Sequence, residues 1–268
     1  MVIKSIKKVY TYLMFLFLYA PIITLMIFSF NESRSRGKWA GFTLRWYREL
    51  FHDSVIKNAF YYTIVIAVLS AVISTIIGTV AAVGIHNMSF LGKKVVLNIN
   101  YLPVLNPEIV TGVSLMTLFI FFKLQLGFLS MLLAHITFCI PYVVLAVLPK
   151  LRQLNKHLAE AALDLGATPS YAFRKIILPE IMPGIVTGAL MAFTLSIDDF
   201  VISFFTAGRG VSNLSITVYS MARRGINPRI NALSTLMFLV VLALLLIINK
   251  RTVDDISAER HPERKQKA

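Results

Sequence analysis

Long apolar stretches alternate with short polar, mostly basic segments along the whole chain. Six such stretches can be delimited: Val9–Phe30, Ala59–Ile85, Val95–Phe122, Leu126–Leu148, Ile181–Ala207 and Asn231–Asn249. Each reaches the roughly 20 residues that a helix needs to cross the hydrocarbon core of a bilayer. The pattern predicts an all-α polytopic membrane protein with six transmembrane helices. The first stretch follows "KSIKK" but is longer than a secretory apolar core, and "FSFNESR" offers no small-residue cleavage site. It is expected to remain as the first span.

Finer patterning lies within and between these stretches. "GFTLRWYRELF" (41–51) reads as a short amphipathic helix with Thr43 as N-cap. Leu44, Tyr47, Leu50 and Phe51 share one face, and Trp46 beside them suits the headgroup level of the outer interface. The second span carries Ser70, Ser74, Gly78 and Ala82 at intervals of four, a stripe of small residues that lets another helix approach closely. Gly184 and Gly188 repeat the device in the fifth.

The third stretch has 28 residues, about 42 Å if fully helical, which exceeds the hydrocarbon thickness. Pro103 and Pro107 should break or kink it, with Asn106 capping a second half-helix, Pro107 at its first position and Glu108 in its first turn. Broken backbone at membrane depth is tolerated beside protein or a watery cavity, so Glu108 either caps or lines a path. Residues 149–180 are too polar to cross. Leu151, Leu154, Leu158, Ala161, Ala162 and Leu165 recur at helical spacing and stop at Gly166. A second helix should start with Thr168 as cap, present Phe173, Ile176 and Ile177 on one face, and end at Pro179. This helix–glycine–helix is a stiff lever whose apolar face invites a protein partner.

Composition agrees with the pattern. Of 268 residues 57% are hydrophobic and 15% charged, and mean hydropathy is +0.72. A soluble domain so apolar could not cover itself with polar groups. The single cysteine, Cys139, rules out a disulfide framework and reads as a small buried side chain. With the N-terminus inside, cytoplasmic segments hold 16 Lys and Arg and outer segments 11, so both termini are expected in the cytoplasm. A net charge of +14 fits a membrane-surface protein, and no stacking aromatics interleave with it to suggest nucleic acid. The tail 250–268 mixes both signs and is expected to be solvated.

Against this background "LSIDDFVISFF" (195–205) stands out, because Asp198 and Asp199 sit among Leu, Ile, Phe and Val. A carboxylate in hydrocarbon costs about 2.5–3.5 kcal/mol on insertion scales. No Lys or Arg lies within spans 2, 4, 5 or 6 to pair with it. Two readings remain open: an ion-paired or hydrogen-bonded cluster that holds helices together, and a site where a cation supplies the missing charge. Neighbours on a helix are about 100° apart, so the two carboxylates cannot point the same way.

The lever also reads as a motif. "EAALDLGATPSYAFRKIILP" places Glu160, Ala161, Ala162, Gly166, Ile176, Leu178 and Pro179 at the spacing of the EAA loop, and here it resembles bacterial ABC-importer permeases. The resemblance implies the type I ABC-importer permease fold, a non-catalytic membrane subunit of the bacterial inner membrane, and docking of these residues onto an ATPase dimer. ATP and Mg would be bound by that partner, and the chain itself would carry no cofactor. "SFNESR", "LPVLNPEIVTG", "AHITFCIPYVV", "SIDDFVISFFTAG" and "INPRINALST" together look like the permeases of spermidine/putrescine importers, with a departure at Arg229. That family implies a second, related permease, an external polyamine-binding protein and polyamine cargo. Protonated amines separated by methylenes call for carboxylates and aromatic faces. Asp198, Asp199, Glu108, Phe200, Phe204 and Tyr101 are the candidate path residues, with Phe205 adjacent. A permease for another small cationic or amino-acid-like solute, and an ATP-independent secondary transporter using the two aspartates as an ion relay, are the alternatives.

Overall fold

The computed structural model describes residues 2–33, 38–155, 157–225 and 228–260. Part of the basic loop after the first span (34–37), Lys156, Ile226–Asn227 and the charged end 261–268 lie outside the described residues. In chain order the helices are α1 (Val2–Phe28), α2 (Arg45–His52), α3 (Ser54–Asn87), α4 (Phe90–Leu105), α5 (Glu108–Phe121) and α6 (Phe128–Gln153). They continue as α7 (Leu158–Asp164), α8 (Pro169–Ala172), α9 (Leu178–Asp198), α10 (Val201–Thr206), α11 (Leu214–Arg223) and α12 (Pro228–Arg260). Among the described residues β-type pairing is confined to one isolated bridge, Asn31 with Phe42.

Among the described residues four helical segments are long and apolar enough to cross a membrane: Lys7–Phe28, Ser54–Asn87, Phe128–Gln153 and Pro169–Asp198. The bent pair α4–α5 makes a fifth if it is one span, and Pro228–Ala243 is a shorter apolar helix. The all-α membrane class therefore stands; among the described residues four or five of the six expected spans meet this test, and α12 runs through the sixth. The tail expected from Lys250 continues α12 as helix to Arg260.

The chain divides into two compact units, Met1–Asn58 with Ile216–Leu242, and Ala59–Ser215 with Ala243–Ala268. The first is organised by Asn31. Its side-chain amide donates to the Lys38 carbonyl at 2.9 Å, its side-chain oxygen accepts from Ala40 N at 2.9 Å, and its own carbonyl accepts from the Trp46 indole at 2.8 Å. Trp46 is thus 1% exposed, which overturns its expected headgroup placement. Its indole N–H needs an acceptor when buried, and the Asn31 carbonyl in the loop after α1 supplies it. α2 buries Trp46 and Leu50 while Leu44 and Phe51 stay exposed, so its inner face is rotated from the predicted one. Leu44 takes the N-cap position, although Thr43 still accepts from Arg45 N at 3.2 Å.

Arg229, the departure noted above, is neutralised inside this unit. Its Nε donates to Glu49 at 2.6 Å, Asp53 lies 4.0 Å away, and Arg45 reaches the other Glu49 oxygen at 2.7 Å. The hydrogen bond from Arg45 holds the Glu49 carboxyl below its ordinary 4.5, with Arg229 adding to the effect and burial opposing it. A depressed carboxylate stabilises the fold above its unfolded pKa and loses that contribution as pH falls through the folded value. Thermal scans across pH should show Arg229→Gln lowering the melting temperature modestly at neutral pH. The gap to the unmodified protein should close in acid below 4.5.

In the second unit the small-residue stripes are where helices meet. A Cβ on Gly184 would come within 2.9 Å of the Ala146 carbonyl, and one on Gly188 within 3.2 Å of Val143 Cα, so α9 lies backbone-close on α6. Gly78 admits Val143 from the other side, where an added Cβ would stand 2.7 Å from its side chain. Gly78→Ala is expected to lower stability by about 1–3 kcal/mol, because Val143 is branched next to its backbone and cannot swing away. A shifted melting temperature in detergent would register this.

The third apolar stretch breaks where proline predicts, but with different capping. α4 runs through Pro103, and the chain turns by 106° at Asn106–Pro107. Asn106 is the C-cap of α4, Pro107 occupies the N-cap position of α5, and Glu108 is the first residue of α5. Pro107 fits there because its φ of −55° is preset and no amide is needed.

The lever is longer than predicted. Leu151 belongs to the core end of α6, whereas Leu165 is 89% exposed. Pro179 does not end the second helix. α8, a π-turn over Phe173–Ile177 and α9 form one 30-residue helix from Pro169 to Asp198. The wide turn, with Leu178 N bonded to the Phe173 carbonyl, absorbs the amide that Pro179 lacks. The lever's second arm and the fifth span are therefore a single rod.

Candidate functional site

The predicted fifth span ends earlier than its apolar run. α9 stops at Asp198, Asp199 is extended (φ −62°, ψ 126°), and α10 restarts at Val201. Two adjacent carboxylates are thereby given opposite surroundings. Asp199 is buried and caps α10, one oxygen accepting from Ile202 N at 3.2 Å and the other from Ser203 N at 2.7 Å. His135 Nε2 stands 3.5 Å from the second oxygen. Backbone amides and a histidine, invisible to a search for Lys and Arg, are the partners that the sequence reading found lacking.

Asp198 is exposed, and its carboxylate makes no ion pair or hydrogen bond with a described residue. It terminates α9, where the helix dipole and unpaired carbonyls already concentrate negative charge. A carboxylate at this pole is disfavoured by roughly 0.3–1 kcal/mol until a cation neutralises it.

The flanking aromatics divide in the same way. Phe204 is open, with Phe200 5.5 Å away on one side and Phe205 5.5 Å away, edge-on, on the other. Phe205 packs against Gly112 of α5, where an added Cβ would lie 3.1 Å from its ring. Glu108 is exposed one turn before Gly112 on the same stripe of α5, which lies against α10. Tyr101 is exposed on α4, across the 106° bend from Glu108. Neither Glu108 nor Tyr101 hydrogen-bonds to Asp198.

At the far end of the rod, Gly166 adopts φ +84° and closes α7 with paired bonds, Ala167 N to the Ala162 carbonyl at 3.0 Å and Gly166 N to Leu163 at 2.9 Å. Thr168 accepts from Tyr171 N at 3.3 Å, as its predicted capping role requires. Glu160 lies in the first turn of α7 with His157 2.8 Å away, Ala161 is exposed, and Ala162 is buried. Ala162, Gly166, Thr168, Tyr171 and Ile176 line an open depression of about 500 Å³. Leu178 and Pro179 follow on the rod outside it.

Sequence reading passed over His135 and Asn213. His135 is 1% exposed, with Nδ1 2.7 Å from Ser196 Oγ and Nε2 2.9 Å from Ser203 Oγ. Asn213 donates to the Asp199 carbonyl at 3.0 Å and to Ser203 Oγ at 2.8 Å. The available signal was an ionisable residue inside a span, which by itself calls for a named partner.

Residues 74–251 match the family described as binding-protein-dependent transport system inner membrane component. The chain is 37% identical over 242 residues to the spermidine/putrescine transport system permease protein PotC of Haemophilus influenzae, covering 90% of this chain and 94% of that one. It is 43% identical over 229 residues to the putrescine transport system permease protein PotI of Escherichia coli K12, covering 83% and 82%. A crystal structure of a bacterial ABC transporter that imports alginate superposes with a TM-score of 0.72 at 19% identity, covering 92% of this chain and 94% of that chain, and supports the fold. With two thirds of its length in the family match and a bent, glycine-packed helical core of the same fold, this multi-pass chain belongs to the binding-protein-dependent transport system inner membrane components.

Proposed function

We propose that the chain is a permease subunit of an ATP-driven polyamine importer. The observation that carries the reading is the single helix Pro169–Asp198, which starts beside the depression at Gly166 and ends on an exposed carboxylate that no described residue pairs. At about 1.5 Å per residue the rod is some 45 Å long, enough to join the two faces of a bilayer. In this reading an ATPase dimer seats against the Glu160–Ile176 segment and does all the nucleotide chemistry. Its closure moves the rod, and Asp198 with Phe204 and Phe200 shelters an ammonium group released by an external binding protein. A second, related permease completes the path, with Glu108 and Tyr101 as further contacts. Binding in the path is weak, since a tight site would not release its cargo. Both termini face the cytoplasm, as the basic residues favour.

Proteoliposomes holding both permeases, the ATPase and the binding protein test this. Labelled spermidine or putrescine should accumulate saturably only with ATP inside the ATPase-accessible compartment. Accumulation that persists without the ATPase, or that excess polyamine fails to compete while another solute succeeds, would overturn the reading.

A further inference from the structure

The break between α9 and α10 owes nothing to proline or glycine. Sharp interruptions of a helix come from proline, glycine, a π-bulge or an inserted side chain. Residues 195–207 contain neither proline nor glycine. What remains is an inserted side chain: the Asp199 carboxylate takes the Ile202 and Ser203 amides, and His135 of α6 ties the two sides of the break together.

Its imidazole bridges the break. Nδ1 meets Ser196 Oγ, three residues before Asp199, and Nε2 meets Ser203 Oγ, four residues after it, with the Asp199 carboxylate beside the same nitrogen. Residues seven apart on a straight helix are separated by about 10.5 Å. One imidazole ring with hydrogen bonds of 2.7 and 2.9 Å cannot reach so far. The bridge therefore favours the bent chain. Asn213 takes up the Asp199 carbonyl at the bend, donating to it at 3.0 Å. The Asp199 carboxylate favours the proton on Nε2, so that Nδ1 accepts from Ser196. All five side chains, those of His135, Ser196, Asp199, Ser203 and Asn213, are buried.

We infer that His135 is a positioning residue for the cation site: by strutting the bend from Ser196 to Ser203 it holds Asp198 at the open end of α9, clear of the carboxylate that caps α10. The inference rests on the importer reading for what Asp198 binds, but not for where Asp198 stands. Without the strut the helix can straighten through Asp199, which rotates Asp198 away from its present setting.

Two measurements test it. The first is a thiol introduced by Asp198→Cys, labelled with an impermeant, water-soluble reagent in the assembled transporter; the native Cys139 is buried and serves as the background. Adding His135→Ala should change the labelling rate several-fold, and His135→Gln, which keeps both a donor and an acceptor, should restore most of it. The second is spermidine uptake with His135→Ala and an intact Asp198. The half-saturating concentration should rise about tenfold, and His135→Gln should recover it, whereas a defect in folding alone would lower only the maximal rate through fewer complexes. Unchanged labelling together with an unchanged half-saturating concentration would overturn the proposal. Should His135→Ala fail to assemble, Ser203→Ala removes one end of the strut with little change of volume, and the same two readings decide. Labelling needs no solute, so a protein that ignores spermidine would sink the substrate reading and leave the positional test standing.

Discussion

Asp198→Asn should cut polyamine uptake by roughly 10- to 100-fold while the transporter assembles in normal amount. The argument starts from the pole on which this carboxylate sits. As the exposed last residue of α9 it adds a full negative charge to an end already rich in carbonyl oxygens, and no described residue neutralises it. Removing the charge relieves the fold of a mild repulsion and withdraws the counter-charge for an arriving ammonium. A hydrogen bond to a charged group is worth about 1.5–3 kcal/mol, which corresponds to that range of affinity. The loss should appear in the half-saturating concentration.

Its neighbour should behave in the opposite way. Asp199→Ala strips the cap from Ile202 N and Ser203 N and leaves His135 without its carboxylate, all in a buried setting. Each unsatisfied buried group costs about 1–3 kcal/mol, so less complex should be recovered from the membrane. The measurement is quantity of assembled transporter against half-saturation for each variant. Equal loss of assembly in both would refute the division of labour between the two acids.

Much of this arrangement was legible before any coordinates, and the part that was not has a common cause. Local chemistry was readable where one residue carries it: Gly166 as a positive-φ stop, Thr168 as a cap, the second of two prolines expected to break a 28-residue apolar run, and the glycine stripes as sites of close approach, while α4 passes through the first, Pro103. What could not be read depends on residues far apart in the chain. Asp199 finds its partner on α6, 64 positions earlier, and Trp46 finds its acceptor at Asn31 in the preceding loop. The break at Asp199 is hidden because the run that holds the two acids is otherwise largely apolar and hydropathy does not register a bend. Pro179 misled for a related reason. It lacks an amide, but a π-turn upstream supplies a pattern in which that amide is not missed, and the helix continues.

That continuity gives Gly166 its leverage. It stands two residues before the cap of the rod, at φ +84°, where side chains other than those of Gly, Asn and Asp are strained by about 1–2 kcal/mol and β-branched ones by more. An added Cβ would meet nothing there, so conformation rather than crowding decides the outcome. Gly166→Val should therefore open the paired bonds to Ala162 and Leu163, reorient α7 against the rod, and deform the depression that Ala162, Thr168 and Tyr171 line. Purified from detergent extracts, this variant should be present in the membrane in normal amount yet bring down little ATPase, with uptake falling in parallel. Gly166→Asn, which tolerates positive φ, should retain most of both. Were the valine variant to recover ATPase as fully as the asparagine one, the depression would not be the docking surface, and the rod would have no motor at that end.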